Sequence, residues 1–249
     1  MSFYQSIAPF YDYIFPPAPQ QVSFIKSIAG DIVGKRILEA GCGTGNLALQ
    51  IVEQGAMVEG IDLDPGMIAY ARKKAGENKD VRFSVLDILK INEKWGANVF
   101  DAVVSFGNTL VHLNDLDQVR QFFLNVKAVL KPGAGLMVQI INYDRILDRQ
   151  IQGLPTIENE EIKFERFYDY IDSVSSIEFR TILKVKQSGE EIRNVVKLLP
   201  LRRQQLEILL EKCGFENIRF YGNFKRETLT MDSVPLIVSA QKPLADTQY

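Results

Sequence analysis

The stretch Ile37-Leu38-Glu39-Ala40-Gly41-Cys42-Gly43-Thr44-Gly45-Asn46 decides how this chain is read. Apolar residues run up to Glu39, glycines alternate from Gly41 to Gly45, and Leu47 and Ile51 then share one face of a helix over Asn46 to Gln54. The pattern is strand, tight turn, helix. Glycine opens backbone angles closed to other residues and lets a ligand come close to the main chain. Alone, such a turn serves a phosphate, a nucleoside or nothing but the fold.

The next strands narrow the choice. Met57 to Ile61 is a strand that runs into Asp62, about 20 residues beyond the first glycine, where a carboxylate is placed to accept from ribose hydroxyls. Val81 to Leu86 runs into Asp87-Ile88, whose carboxylate can accept from an adenine amino group. Glu39 beside the turn suits a cationic amino group or a sulfonium. Acids at three neighbouring strand ends suit an uncharged nucleoside and repel a phosphate. The dinucleotide spacing G-x-G-x-x-G is missed, because the third glycine comes one residue early and Asn46 holds its place. No glycine-lysine pair is followed by serine or threonine, so a P-loop is absent.

Farther out, Asp64-Pro65 reads as an N-cap followed by proline at the first helical position. Phe100 to Phe106 is a fourth strand, Asp115 to Leu130 a helix stopped by Lys131-Pro132-Gly133, and Leu136 to Ile141 a fifth strand. Strands alternating with helices predict a parallel sheet covered on both faces. Between Ile162 and Leu199 the pattern changes to three runs of period-2 alternation, with a slip near Arg166, which predicts a small antiparallel sheet. A helix over Leu201 to Cys213 and strands near Asn217 to Tyr221 and Pro235 to Ala240 complete the chain. The division is an N-terminal aromatic lid over 1–21, a core over 22–150 and 200–249, and an inserted sheet over 151–199.

On the glycine turn and its acidic strand ends, the chain resembles class I S-adenosylmethionine (SAM)-dependent methyltransferases. The resemblance implies an α/β, Rossmann-like, mostly parallel sheet of order 3-2-1-4-5-7-6 with the seventh strand antiparallel. It also implies SAM as cofactor: Gly41, Gly43 and Gly45 along its methionine part, Asp62 on the ribose, Leu63 and Met67 flanking the adenine, and Asp87 with Ile88 on its edge. Phe106, ending the fourth strand, joins the cofactor set. Tyr11, within the aromatic stretch Phe3 to Phe15, is the candidate to face the sulfonium, a cation–π contact of roughly 0.5–2 kcal/mol. Aromatics also serve simply to pack a helix on the core.

Ligands of open parallel sheets gather beyond the carboxyl ends of the strands. There stand Phe106-Gly107-Asn108-Thr109-Leu110-Val111-His112-Leu113 and Asn142-Tyr143-Asp144-Arg145, with Gly222-Asn223-Phe224-Lys225 near the C-terminus. These segments resemble the glycine N-methyltransferase branch, which also carries an inserted antiparallel sheet. The resemblance makes Asn108 and His112 active-site residues, puts Tyr143 beside the acceptor and brings Tyr4 of the lid to the pocket. His112 and Tyr143 are the candidate catalytic groups, although a lone histidine serves equally well as a structural hydrogen-bonder. One departure is informative. The branch holds an arginine before the Asn-Tyr-Asp run to clamp the substrate carboxylate, and here that residue is Ile141. The change argues against glycine as acceptor and toward a more apolar or cationic one.

Composition excludes other classes. A net charge of −2 does not suit a broad nucleic-acid surface. Two cysteines and one histidine make no metal site. No apolar run is long enough to span a bilayer, so the expected location is cytoplasmic. The expected partner is a small-molecule methyl acceptor, not nucleic acid or membrane, and a homo-oligomer is left open. The competing readings are a nucleic-acid or protein methyltransferase, a non-catalytic SAM-binding module and, more distantly, a nicotinamide-dependent oxidoreductase.

Overall fold

The computed structural model describes residues 3–170 and 176–244; residues 1–2, 171–175 and 245–249, which fall within the lid, insert and core ranges above, lie outside it. The chain opens with α1 (Phe3–Ile7), a 3-10 turn, α2 (Tyr11–Ile14) and α3 (Pro19–Ala29). The alternation follows: β1 (Arg36–Ala40), α4 (Asn46–Val52), β2 (Met57–Asp62), α5 (Pro65–Ala75), β3 (Val81–Val85), α6 (Ile91–Lys94), β4 (Phe100–Ser105), α7 (Leu116–Val129), β5 (Leu130–Ile141) and α8 (Tyr143–Asp148). Then come β6 (Gly153–Glu158), β7 (Ile162–Tyr170), β8 (Ile177–Val185), β9 (Glu191–Leu198), α9 (Arg203–Lys212), β10 (Glu216–Tyr221) and β11 (Pro235–Gln241).

The seven-stranded sheet runs β10-β11-β5-β4-β1-β2-β3. Its pairs from β3 to β5 are parallel, and β11 is antiparallel to both β5 and β10. This is the expected 3-2-1-4-5-7-6 order. Successive side chains of a strand point to opposite faces. Leu38 and Val103 therefore pack on one side with Phe122 and Phe123 of α7 and Leu206 and Leu210 of α9. Ile37 and Val104 pack on the other with Phe24 and Ile25 of α3 and Leu47 and Ile51 of α4. Burial on both faces explains why the central strands are continuously apolar. A third cluster joins Ile7, Ala8 and Ile14 of the N-terminal segment to Met67 of α5 and to Ile162, Phe164 and Leu183 of the insert.

The structure differs from expectation in three places. The inserted sheet has four strands, β6-β7-β8-β9, where three were predicted. The extra strand, β6, carries Pro155, and an edge position tolerates a residue that cannot donate to a ladder. Lys131-Pro132-Gly133 does not separate helix from strand: β5 already begins at Leu130, and its register against β4 shifts between Phe100 and Ala102. Proline and the Gly133 φ of +78° fit that irregularity. Finally, α3 starts at Pro19, inside the predicted lid range, with proline at the first position. Among the described residues no helix is long and apolar enough to cross a membrane.

Candidate active site

The turn after β1 is tied to the end of β2, with the N–H groups of Gly41 and Cys42 both donating to Ile61 O at 2.8 and 2.9 Å. All three glycines have positive φ, yet each is required for a different reason. A Cβ on Gly41 would collide with the Thr109 side chain, which closes the loop after β4 over it. A Cβ on Gly43 would meet the Tyr11 ring at 3.3 Å. At Gly45 it would meet Phe83 Cζ at 2.6 Å. Gly41 lines a cavity of about 430 Å³, whereas Gly45 does not and packs α4 on the sheet. A larger cleft of about 560 Å³, lined by Lys35, Asp101 and Lys131, contains none of the turn residues.

The carboxylates stand in different surroundings. Glu39 lines the cavity, is 4% exposed, and its Oε2 has no hydrogen-bond partner. Burial is the main cause that pushes its carboxyl up to about 8. Asp62 accepts from Gly43 N and Asp64 N, both at 2.9 Å, and burial raises its pKa as well. Asp87 accepts from Leu89 N at 2.9 Å as the cap of a 3-10 turn. Gly43, Asp62, Leu63, Met67, Asp87 and Ile88 do not line the cavity; Asp62 stands behind the turn, bonded to Gly43 N. Leu63 is 69% exposed, Ile88 packs into the core, and Met67 lies beneath Ile7, Ala8 and Ile14.

The aromatic segment both packs on the core and lines the cavity. Ile7 and Ile14 anchor it, while Tyr4 and Tyr11 line the cavity. Burial, then the Asp62 and Glu39 charges, raise the Tyr11 hydroxyl pKa, so the ring sits near these two carboxylates as a neutral phenol. Asp12 fastens the segment by accepting from Lys74 Nζ at 2.8 Å, Asn46 Nδ2 at 3.0 Å and the Thr44 hydroxyl. Burial alone would raise the Asp12 carboxyl; the Lys74 and Thr44 hydrogen bonds outweigh it and hold it low.

At the other end, Phe106, Asn108 and His112 line the cavity from the loop after β4. Asn108 adopts φ of +71°, its Oδ1 accepts from Ile141 N at 3.0 Å, and its Nδ2 donates to the Tyr143 hydroxyl at 3.2 Å. Tyr143 is fully buried and does not line the cavity; it meets the site through the hydrogen bond it accepts from Asn108. His112 Nε2 lies 2.7 Å from the Tyr4 hydroxyl, and burial lowers its pKa to about 4. The imidazole is therefore neutral near pH 7. The wall also includes Ile141 and, from the insert, Phe164, Arg166, Tyr168 and Phe179, none of which apart from Ile141 the motifs pointed to. The available signal was the alternation itself, since Phe164, Arg166 and Tyr168 share one face of β7 and the slip near Arg166 is a cation at an inward position.

These residues fit SAM. Glu39 offers an unpaired buried carboxylate to a cation, Gly41 bare backbone, and Tyr11 a ring face. Bound SAM supplies a methyl group on a sulfonium, a good leaving group. The protein must align an acceptor lone pair behind that methyl, a positioning effect worth up to roughly 7–11 kcal/mol. It needs no nucleophile of its own.

Known proteins agree. A family profile described as a methyltransferase domain matches residues 37–133. YqeM of Bacillus subtilis (strain 168), which bears a methyltransferase's name without a stated acceptor, is 27% identical over 96% of this chain and 97% of its own. Glycine/sarcosine N-methyltransferase of Aphanothece halophytica is 27% identical over 88% of this chain and 80% of its own. The CcbJ methyltransferase of Streptomyces caelestis shares the fold with a TM-score of 0.81 at 20% identity, covering 97% of this chain and 98% of its own. Fold, glycine turn and relatives converge on a class I SAM-dependent methyltransferase.

Proposed function

We propose that this enzyme transfers the SAM methyl group to a nitrogen or oxygen of a small-molecule acceptor other than glycine, in the cytoplasm. The observation that carries the reading is the single cavity that runs from Glu39 and Gly41 to Asn108 and His112 and is walled beyond them by Phe164, Tyr168 and Phe179 of the insert. An RNA strand or a protein segment needs an open groove, and this wall leaves room for a compact molecule. Ile141 stands in that wall and offers no partner to a carboxylate beside the reacting amine. Two buried free cysteines, Cys42 and Cys213, suit a reducing compartment. In this reading Asp62 holds the ribose. Leu63, Met67, Asp87 and Ile88 form the adenine side, where the N-terminal segment packs over Met67.

Methyl release from SAM across panels of amines and hydroxyl compounds tests the class. Turnover of some panel members with none on RNA or protein is expected. Activity on RNA alone would reverse the assignment, and measurable glycine turnover would remove the exclusion based on Ile141. Calorimetry supplies the control. Asp62→Ala should weaken SAM binding by roughly 10- to 100-fold, the scale of lost hydrogen bonds to a charged group. A chain that fails to bind SAM at all would remove the enzymatic reading.

A further inference from the structure

Arg166 sits on β7 between Phe164 and Tyr168, on the face that walls the acceptor end of the cavity. Its Nη2 donates to Pro155 O at 2.6 Å, while its Nε is buried with no hydrogen-bond partner. Several other cations of the sheet are ion-paired: Lys163 with Glu165, Arg180 with Asp169, Lys184 with Glu191 and Arg193 with Glu191. Among the described residues no carboxylate comes within ion-pair distance of Arg166. The Phe164 ring, 5.9 Å from its guanidinium carbon, is its other electrostatic support. The residue is half-buried, and a guanidinium with part of its donor set shielded from water and unpaired gains from an arriving counter-charge. Its planar fork of donors matches a carboxylate or phosphate better than any neutral group.

The cavity is thus polarised. Glu39 lines it at the glycine turn, where the cofactor's positive charge belongs, with Asp62 bonded to Gly43 N of that turn, and Arg166 lines it from the insert. We propose that Arg166 binds an anionic group, carboxylate or phosphate, on the methyl acceptor, remote from the atom that is methylated. The inference rests on the small-molecule methyltransferase reading and deepens it. It reverses the expectation of a cationic acceptor, since a second cation beside Arg166 would be repelled. It also reconciles an anionic acceptor with Ile141: the charge is gripped from the insert and not from the end of β5.

The test uses the full chain saturated with S-adenosylhomocysteine, the demethylated product, and three matched probes: benzoate, phenyl phosphate and benzamide. Binding is read by calorimetry. At least one of the two anions should bind about tenfold more tightly than the neutral amide, and Arg166→Met should erase that difference while leaving S-adenosylhomocysteine affinity unchanged. Whether benzoate or phenyl phosphate binds more tightly distinguishes a carboxylate from a phosphate acceptor. If the amide binds as well as both anions, or no anion binds, the proposal is overturned. The wild-type comparison decides this even if the Met variant does not fold. Failure to bind S-adenosylhomocysteine would instead strike the methyltransferase reading beneath it.

Discussion

Glu39 stands one residue before the end of β1, a strand buried on both faces, and its carboxyl is held near 8 by burial, with one oxygen unpartnered. A cationic ligand in the cavity must recruit the ionised form. SAM affinity should therefore rise as pH goes from about 6 to above 8, and Glu39→Gln should bind more weakly and lose the slope; titrating SAM calorimetrically at several pH values checks this. His112 behaves oppositely, because burial keeps it neutral down to about 4. It is placed to orient an acceptor or the Tyr4 hydroxyl, and it will not supply a limb near pH 6.5 in a rate profile. Asp62 and Glu39 were legible in the sequence because an acid at a strand end has few structural uses. Tyr143 was legible as a site residue but not as a buried support, since nothing local tells which layer a side chain occupies. Arg166 was visible only as a break in an alternation, and a break has no chemistry until the opposite wall is known.

At the scale of elements, two devices carry the site. The first is the contact of α4 with the sheet through Gly45. An alanine there must adopt φ near +80° and displace Phe83 and Ala71, a combined cost of about 1–3 kcal/mol or more. Thermal melting should show Gly45→Ala lowering Tm by roughly 2–10 °C, whereas Gly76→Ala, where a Cβ meets nothing within 4 Å, should cost less. The second is the Asp12 latch between α2 and the residues Thr44, Asn46 and Lys74 around the turn. Exposed pairs contribute little stability, about 0–1 kcal/mol, so Asp12→Ala should leave Tm nearly unchanged. It should nevertheless weaken SAM binding severalfold and speed chymotryptic cleavage within residues 4–15; an unaltered cleavage rate would remove the latch. The α/β elements were legible because the strand and helix periods differ. The strand β6 and the six-residue helix α8 were not, because segments so short, one of them holding Pro155, have too few repeats to show a period.

At the scale of the whole molecule, the buried cavity groups set opposing pH trends. Glu39 has a folded pKa above its ordinary 4.5, so its contribution to stability is full below about 4.5 and is lost as pH rises through about 8. His112 has a folded pKa below its ordinary 6.5, so its contribution is present above about 6.5 and is lost as pH falls toward 4. In ligand-free melts, Glu39→Gln should gain Tm relative to the parent as pH rises from 5 to 8.5, and His112→Gln should gain as pH falls from 7 to 4.5. Equal slopes for parent and variants would contradict the burial assigned to these groups. The sheet order followed from resemblance and not from periodicity, because hydrophobic alternation says that a strand is covered but not which strand lies beside it.

The four-stranded insert leaves the main fold after α8 and returns before α9, contributing wall residues but no strand to the central sheet. Such an excursion is an exchangeable cassette. Evolution, or an engineer, can rewrite what this catalyst recognises by redrawing β7 and β8, while the machinery that grips its methyl donor passes through the change intact.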